Sequence, residues 1–118
     1  MTSSLADRLR ARGAHDISHP QGWDALVEAL DHELNKLSPR YTVQQVKEKF
    51  AGLRFYYEPG TDDPVVAQQM KELVDAAEAA SFKLCESCGQ PGTLRDDGWW
   101  ATLCDAHAEQ RARKRAER

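Results

Sequence analysis

Two short pairs of soft ligands constrain this chain more than any other feature: Cys85-Glu86-Ser87-Cys88-Gly89 and Cys104-Asp105-Ala106-His107, with fifteen residues between Cys88 and Cys104. A C-x-x-C turn lets two thiolates converge on one ion, and a glycine directly after it supplies the positive φ that the tight turn needs. Leu94-Arg95 and Trp99-Trp100 flank Asp96-Asp97-Gly98, which reads as a short hairpin with turn chemistry in its loop. On adjacent strand positions one tryptophan faces outward, while Leu103 and the other pack on the knuckle and the preceding helix. The second ligand pair opens a run without Gly or Pro, so Cys104 falls in the first turn of a helix with His107 one turn on. Knuckle, hairpin and ligand-bearing helix, in that order, describe a treble-clef zinc finger. Cys85, Cys88, Cys104 and His107 fill a tetrahedron, which predicts one structural zinc ion, since a catalytic zinc keeps an open position. A redox C-x-x-C calls for a βαβ setting, which the sequence does not suggest, and iron-sulfur ligation normally takes four cysteines.

The finger occupies the end of a chain of 118 residues, long enough for one domain with a modest core that a metal reinforces. Three cysteines cannot close a disulfide framework, which fits a reducing compartment. No window approaches the roughly 18 to 20 apolar residues of a membrane span, and Met1 to Gly13 is Arg-rich without an apolar signal region. These features predict a cytoplasmic protein.

Charge is unevenly placed. Glu58 to Glu78 holds six acids against Lys71, a balance of -5, whereas Glu109 to Arg118 holds five bases against two acids, a balance of +3. The expected fold class is α+β, a small single domain of helices and a β-hairpin ending in the finger. It divides into residues 1–61 with N-terminal helices and hairpin, 62–84 as a long acidic helix, and 85–118 as finger and basic helix. Ser3 or Ser4 caps a short helix over 4–12 closed by Gly13. Trp23, Leu26, Val27, Leu30, Leu34 and Leu37 keep the helical repeat until Ser38-Pro39 stops it. A hairpin pairs 42–49 with 53–58 across Ala51 and Gly52, although Val43, Val46 and Phe50 also have helical spacing. From Asp62 or Asp63, Val66, Met70, Leu73, Val74, Ala77, Ser81 and Leu84 mark a helix running straight into Cys85.

The run Val46-Lys47-Glu48-Lys49-Phe50-Ala51-Gly52-Leu53-Arg54-Phe55-Tyr56-Tyr57, the long helix and the C-x-x-C-G…W…T-L-C-x-x-H pattern together resemble small proteins of unassigned activity found widely in bacteriophages and prophages. The resemblance covers about 22–110 and implies a phage-associated context. The finger alone, with Leu103-Cys104 entering a basic helix, is similar to that of the DksA/TraR transcription factors. Those usually carry a cysteine where this chain has His107. They also have a coiled coil with an acidic tip, to which nothing here corresponds.

Functionally, a closed metal site beside exposed charge predicts a non-enzymatic binding or regulatory protein that contacts a macromolecular partner, most simply a protein. Arg95 and Trp99 are the candidate contact residues on the finger. A second reading is nucleic-acid binding by Arg111, Arg113, Lys114 and Arg115, dominated by phosphate contacts. A third is a zinc-dependent enzyme such as a nuclease, which requires His107 to be free of the metal. Lys47, Lys49 and Arg54 with Phe55, Tyr56 and Tyr57 have a base-stacking composition, but alternation sends Leu53, Phe55 and Tyr57 to the core. His15, His19, Asp31, His32 and Glu33 read as solvated polar residues. No nucleophile elbow, phosphate loop or acid pair is visible, and the sequence leaves the oligomeric state open.

Overall fold

The computed structural model describes residues 4–117. The expected cap Ser3 and the terminal Arg118 therefore lie outside the described residues. Ser4 caps α1 (Leu5–Ala11), its Oγ accepting the Asp7 N–H at 3.1 Å, and Gly13 ends the unit with φ +104°. The next stretch holds more order than its loop composition suggests. Asp16–Ile17 forms β1, and Gln21–Trp23 forms a 3-10 turn that feeds α2 (Asp24–Leu37). A two-residue strand is too short to leave a periodic signature. Ser38 leaves α2 extended ahead of Pro39, and its hydroxyl donates to the Pro59 carbonyl at 2.6 Å.

The next two elements are strands: β2 (Thr42–Lys49) and β3 (Gly52–Glu58) form an antiparallel hairpin, and β1 adds in parallel on the far side of β2. The spacing that suggested a helix has a local cause. A bulge between Val43 and Gln45 inserts an extra residue, so Val43 and Val46, three apart, both reach the core. The turn is also displaced by one residue from expectation. Lys49 pairs with Gly52, leaving Phe50 and Ala51 as a two-residue loop with φ of 53° and 71°. Positive φ at both central positions is the geometry whose twist matches a hairpin.

Asp63 caps α3 (Pro64–Ser81), its carboxylate accepting the N–H groups of Val65 and Val66 at 2.9 and 3.4 Å. Contrary to the expected run into Cys85, the helix stops at Ser81. There the Ser81 hydroxyl donates to the Glu78 carbonyl at 2.6 Å and accepts the Leu53 N–H at 2.8 Å. Glu78 accepts the Phe55 N–H at 3.0 Å, so α3 covers the outer edge of β3. Leu84 then bridges Pro91, β4 (Thr93–Arg95) pairs with β5 (Ala101–Leu103), and α4 (Asp105–Ala116) ends the described chain. The fold is α+β, with four α-helices and two small sheets among the described residues. Among the described residues no helix is long and apolar enough to cross a membrane.

The core gathers Leu9 from α1, Trp23, Val27, Leu30 and Leu34 around α2, Tyr41, Val43, Val46, Leu53 and Phe55 from the hairpin region, and Met70, Val74 and Ala77 from α3. Asp31, expected in solvent, is buried beside them, because it shares a helix face with Val27, Leu30 and Leu34. Its carboxylate accepts from Arg12 Nε at 2.5 Å and from the Tyr41 hydroxyl, while the Arg12 guanidinium lies 4.8 Å over the Tyr41 ring. Burial, then the Asp31 carboxylate, pushes the Tyr41 phenol far above its ordinary value. His19 is likewise tucked in rather than solvated, with Nε2 2.7 Å from Asp24, whereas His15 reaches Gln45 at the surface.

Candidate metal centre

The four ligand residues converge. His107 Nδ1 lies 3.2 Å from Cys104 Sγ and 3.6 Å from Cys85 Sγ, Cys88 and Cys104 sulfurs are 3.9 Å apart, and all four ligand atoms fall within 4.8 Å of one another. A tetrahedron with metal–sulfur bonds near 2.3 Å and a metal–nitrogen bond near 2.0 Å has edges of about 3.5 to 3.8 Å. The donor set therefore fits one tetrahedral ion, with no position left for water or substrate.

Local structure builds each half of the site. Gly89 takes φ +78° after the C-x-x-C turn, the Gly89 N–H donates to the Cys85 carbonyl at 2.8 Å, and the Cys85 N–H donates to the Gln90 carbonyl at 2.7 Å. Burial raises the Cys85 thiol, but backbone N–H groups of Cys104, Cys88 and Ser87 outweigh it and draw the value down to about 6. A thiol so lowered is a ready metal ligand, since the thiolate is the ligating form. Cys104 sits one position earlier than expected, as the N-cap of α4, its sulfur accepting the His107 N–H at 3.5 Å. The C-x-x-C pair lies outside the parallel β1–α2–β2 unit, so the chain does contain a βαβ arrangement, but not around the cysteines.

The knuckle is docked onto the first half of the chain by contacts that sequence reasoning missed. The Gly22 N–H donates to the Glu86 carbonyl at 2.8 Å, and the Trp23 indole N–H donates to the Leu84 carbonyl at 3.0 Å. A side chain at Gly22 would run into the backbone of Cys85 and Glu86. On the other flank, Glu86 and Thr102 exchange two bonds: the Glu86 N–H donates to the Thr102 carbonyl at 2.8 Å, and the Thr102 N–H to the Glu86 carboxylate at 2.6 Å. The buried Thr102 hydroxyl donates to the Ala51 carbonyl at 3.0 Å, tying the finger to the hairpin tip. The one hint in the sequence is the Pro20-Gln21-Gly22-Trp23 run, where a glycine precedes a large buried ring.

The candidate contact residues fall into two groups. Arg95 is not a free surface cation, because it donates to the Leu103 carbonyl at 3.0 and 3.2 Å and pairs with Asp105 at 2.8 Å. Arg111 donates to the Trp99 carbonyl at 2.7 Å and pairs with Asp97 at 3.0 Å, and Arg115 pairs with Asp97 at 2.9 Å. Those bonds hold Asp97 below its ordinary carboxylate value. Arg113 lies 3.9 Å from Glu109, and Lys114 makes no ion pair. Of the basic set expected to meet phosphate, Arg111 and Arg115 are thus spent on the finger's own loop.

That loop carries both tryptophans, since β5 begins only at Ala101. The strand alternation expected for Trp99 and Trp100 does not apply, and both are exposed, at 82% and 48%, with Leu103 alone buried. Trp100 stacks edge-on with Phe50 of the hairpin tip, with centroids 6.4 Å apart, and Phe50 is itself 62% exposed. Phe50, Gly98, Trp99 and Trp100 line an open cleft of about 240 Å³.

Compared with protein-family models, with curated proteins and with solved structures, the chain matches none.

Proposed function

We propose that this protein is a non-enzymatic binding module in which one structural zinc ion, held by Cys85, Cys88, Cys104 and His107 in a treble-clef arrangement, fixes a surface that docks a macromolecular partner. The carrying observation is the pairing of a closed four-ligand site with an aromatic loop kept in solvent. Arg111 holds the Trp99 carbonyl and, with Arg115, the Asp97 carboxylate of the same loop, while both tryptophans stay exposed, and exposed apolar patches of this kind mark interaction sites. Three thiolates and an imidazole at tetrahedral spacing suit zinc. His107 turns Nδ1 toward the sulfurs, which supports a ligand role over a free catalytic base. A phage-associated setting, implied by the sequence resemblance, completes the reading.

The test uses zinc-loaded full-length protein as bait in extract of the native host, with a Trp99→Ala variant alongside. Zinc at one equivalent per chain, and a captured set that Trp99→Ala loses, is the expected outcome. Metal-free folded protein, or identical capture by both baits, overturns the proposal.

A further inference from the structure

The charge distribution says what kind of partner suits the aromatic cleft. Among the described residues, nine of the fifteen Lys and Arg side chains sit next to an acid: Arg8 with Glu28, Arg10 with Asp7, Arg12 with Asp31, Lys36 with Glu33, Lys71 with Asp75, Arg95 with Asp105, Arg111 and Arg115 with Asp97, and Arg113 with Glu109.

 The other six described cations, Arg40, Lys47, Lys49, Arg54, Lys83 and Lys114, make no ion pair with the described residues.

Three of those six share the outward side of the hairpin that ends in Phe50. Lys47 stands directly opposite Arg54 across the ladder, and Lys49 stands opposite Gly52. Like charges opposed in this way destabilise a sheet unless an anion lies between them. Arg54 Nε is buried without a partner. Tyr56, exposed on the same side, lies under the Lys47 ammonium at 5.5 Å, and Lys49 lies 5.7 Å from the Phe50 ring. The Phe82 ring covers Gly52 between them. The acids in register on this side, Asp16 beside Gln45 and Glu58 opposite Thr42, sit at the end away from the tip.

Three cations without counter-ions thus lie between exposed rings along one strip, with Tyr56 at one end, Lys47, Arg54 and Lys49 in the middle, and Phe50, Trp100 and Trp99 at the other end. The four steps along the strand from Gly52 to Tyr56 span about 14 Å. Stacking faces interleaved with backbone-neutralising charge are what an unpaired nucleic-acid strand requires, and a duplex hides its base faces. We infer that the partner docked by this strip is single-stranded nucleic acid, with bases on Trp99, Trp100, Phe50 and Tyr56 and phosphates on Lys47, Lys49 and Arg54. The inference rests on the docking role proposed above and names its ligand class.

The test titrates zinc-loaded full-length protein with an oligothymidylate of about 12 nucleotides, a duplex of equal length and a polyglutamate peptide, following tryptophan emission. The single strand should quench emission and bind more tightly than the duplex. Three phosphate contacts predict a slope of log affinity against log salt of about -2. Trp99→Ala should weaken binding roughly tenfold, the loss expected for one stacked base, with helicity unchanged. Lys47→Glu should weaken it while Lys114→Ala on α4 leaves it unaltered. Equal affinity for duplex and single strand, or a loss with Lys114→Ala but not Lys47→Glu, overturns the inference. Binding of polyglutamate alone, or of none of the three probes, also overturns it, yet leaves the docking role to be decided by the capture experiment.

Discussion

Cys88 is the most exposed of the three sulfur ligands, yet its loss should propagate well beyond the surface. Structural zinc contributes on the order of 10 kcal/mol in isolated fingers, and the finger buries little else: Cys85, Thr102 and Leu103. Cys88→Ser or Cys104→Ser should therefore unfold the chain after Leu84, seen as reduced helicity and rapid cleavage by protease. Gly22→Ala acts on the same seam from the other side. Its methyl would meet backbone rather than a flexible side chain, so a loss of about 1 to 3 kcal/mol in urea denaturation is expected. The ligand residues were legible in the sequence because coordination demands fixed residue types at short spacing. Gly22 and Thr102 were not, because a glycine's close approach and a threonine's distant carbonyl partner leave no periodic trace.

The hairpin shows how far elements could be read. Its existence followed from the alternation of Leu53, Phe55 and Tyr57, but the bulge near Gln44 mimicked helical spacing, and the turn lay one residue earlier than the Ala51-Gly52 pair suggested. Turn chemistry misled there because Phe50 and Ala51 occupy positions that favour Asn and Gly. A non-glycine residue at positive φ costs roughly 1 kcal/mol or more, and Phe50 recovers little of it by burial. Phe50→Asn should raise stability by about 0.5 to 1 kcal/mol in thermal or urea unfolding. The long third helix was legible by its period, whereas its end at Ser81 depended on hydrogen bonds to a strand almost thirty residues away.

At the scale of the molecule, every member of the main core comes from residues between Leu9 and Ala77, and the finger adds none. The radius of gyration, 15.7 Å, exceeds the roughly 13.5 Å of a compact chain of this length, as an appended unit requires. Chelation should therefore give a partly folded state rather than a denatured one: α2, α3 and the three-stranded sheet persist, and proteolysis releases a fragment ending near Leu84. Circular dichroism and mass spectrometry of the digest check this, and collapse of the whole chain would contradict it. Zinc uptake should also weaken as pH falls, because all four ligands must shed or lack a proton to bind. The indole of Trp23 touches the carbonyl next to the first ligand, so the interior carries its own optical gauge of metal occupancy, some sixty positions upstream of the ion it reports.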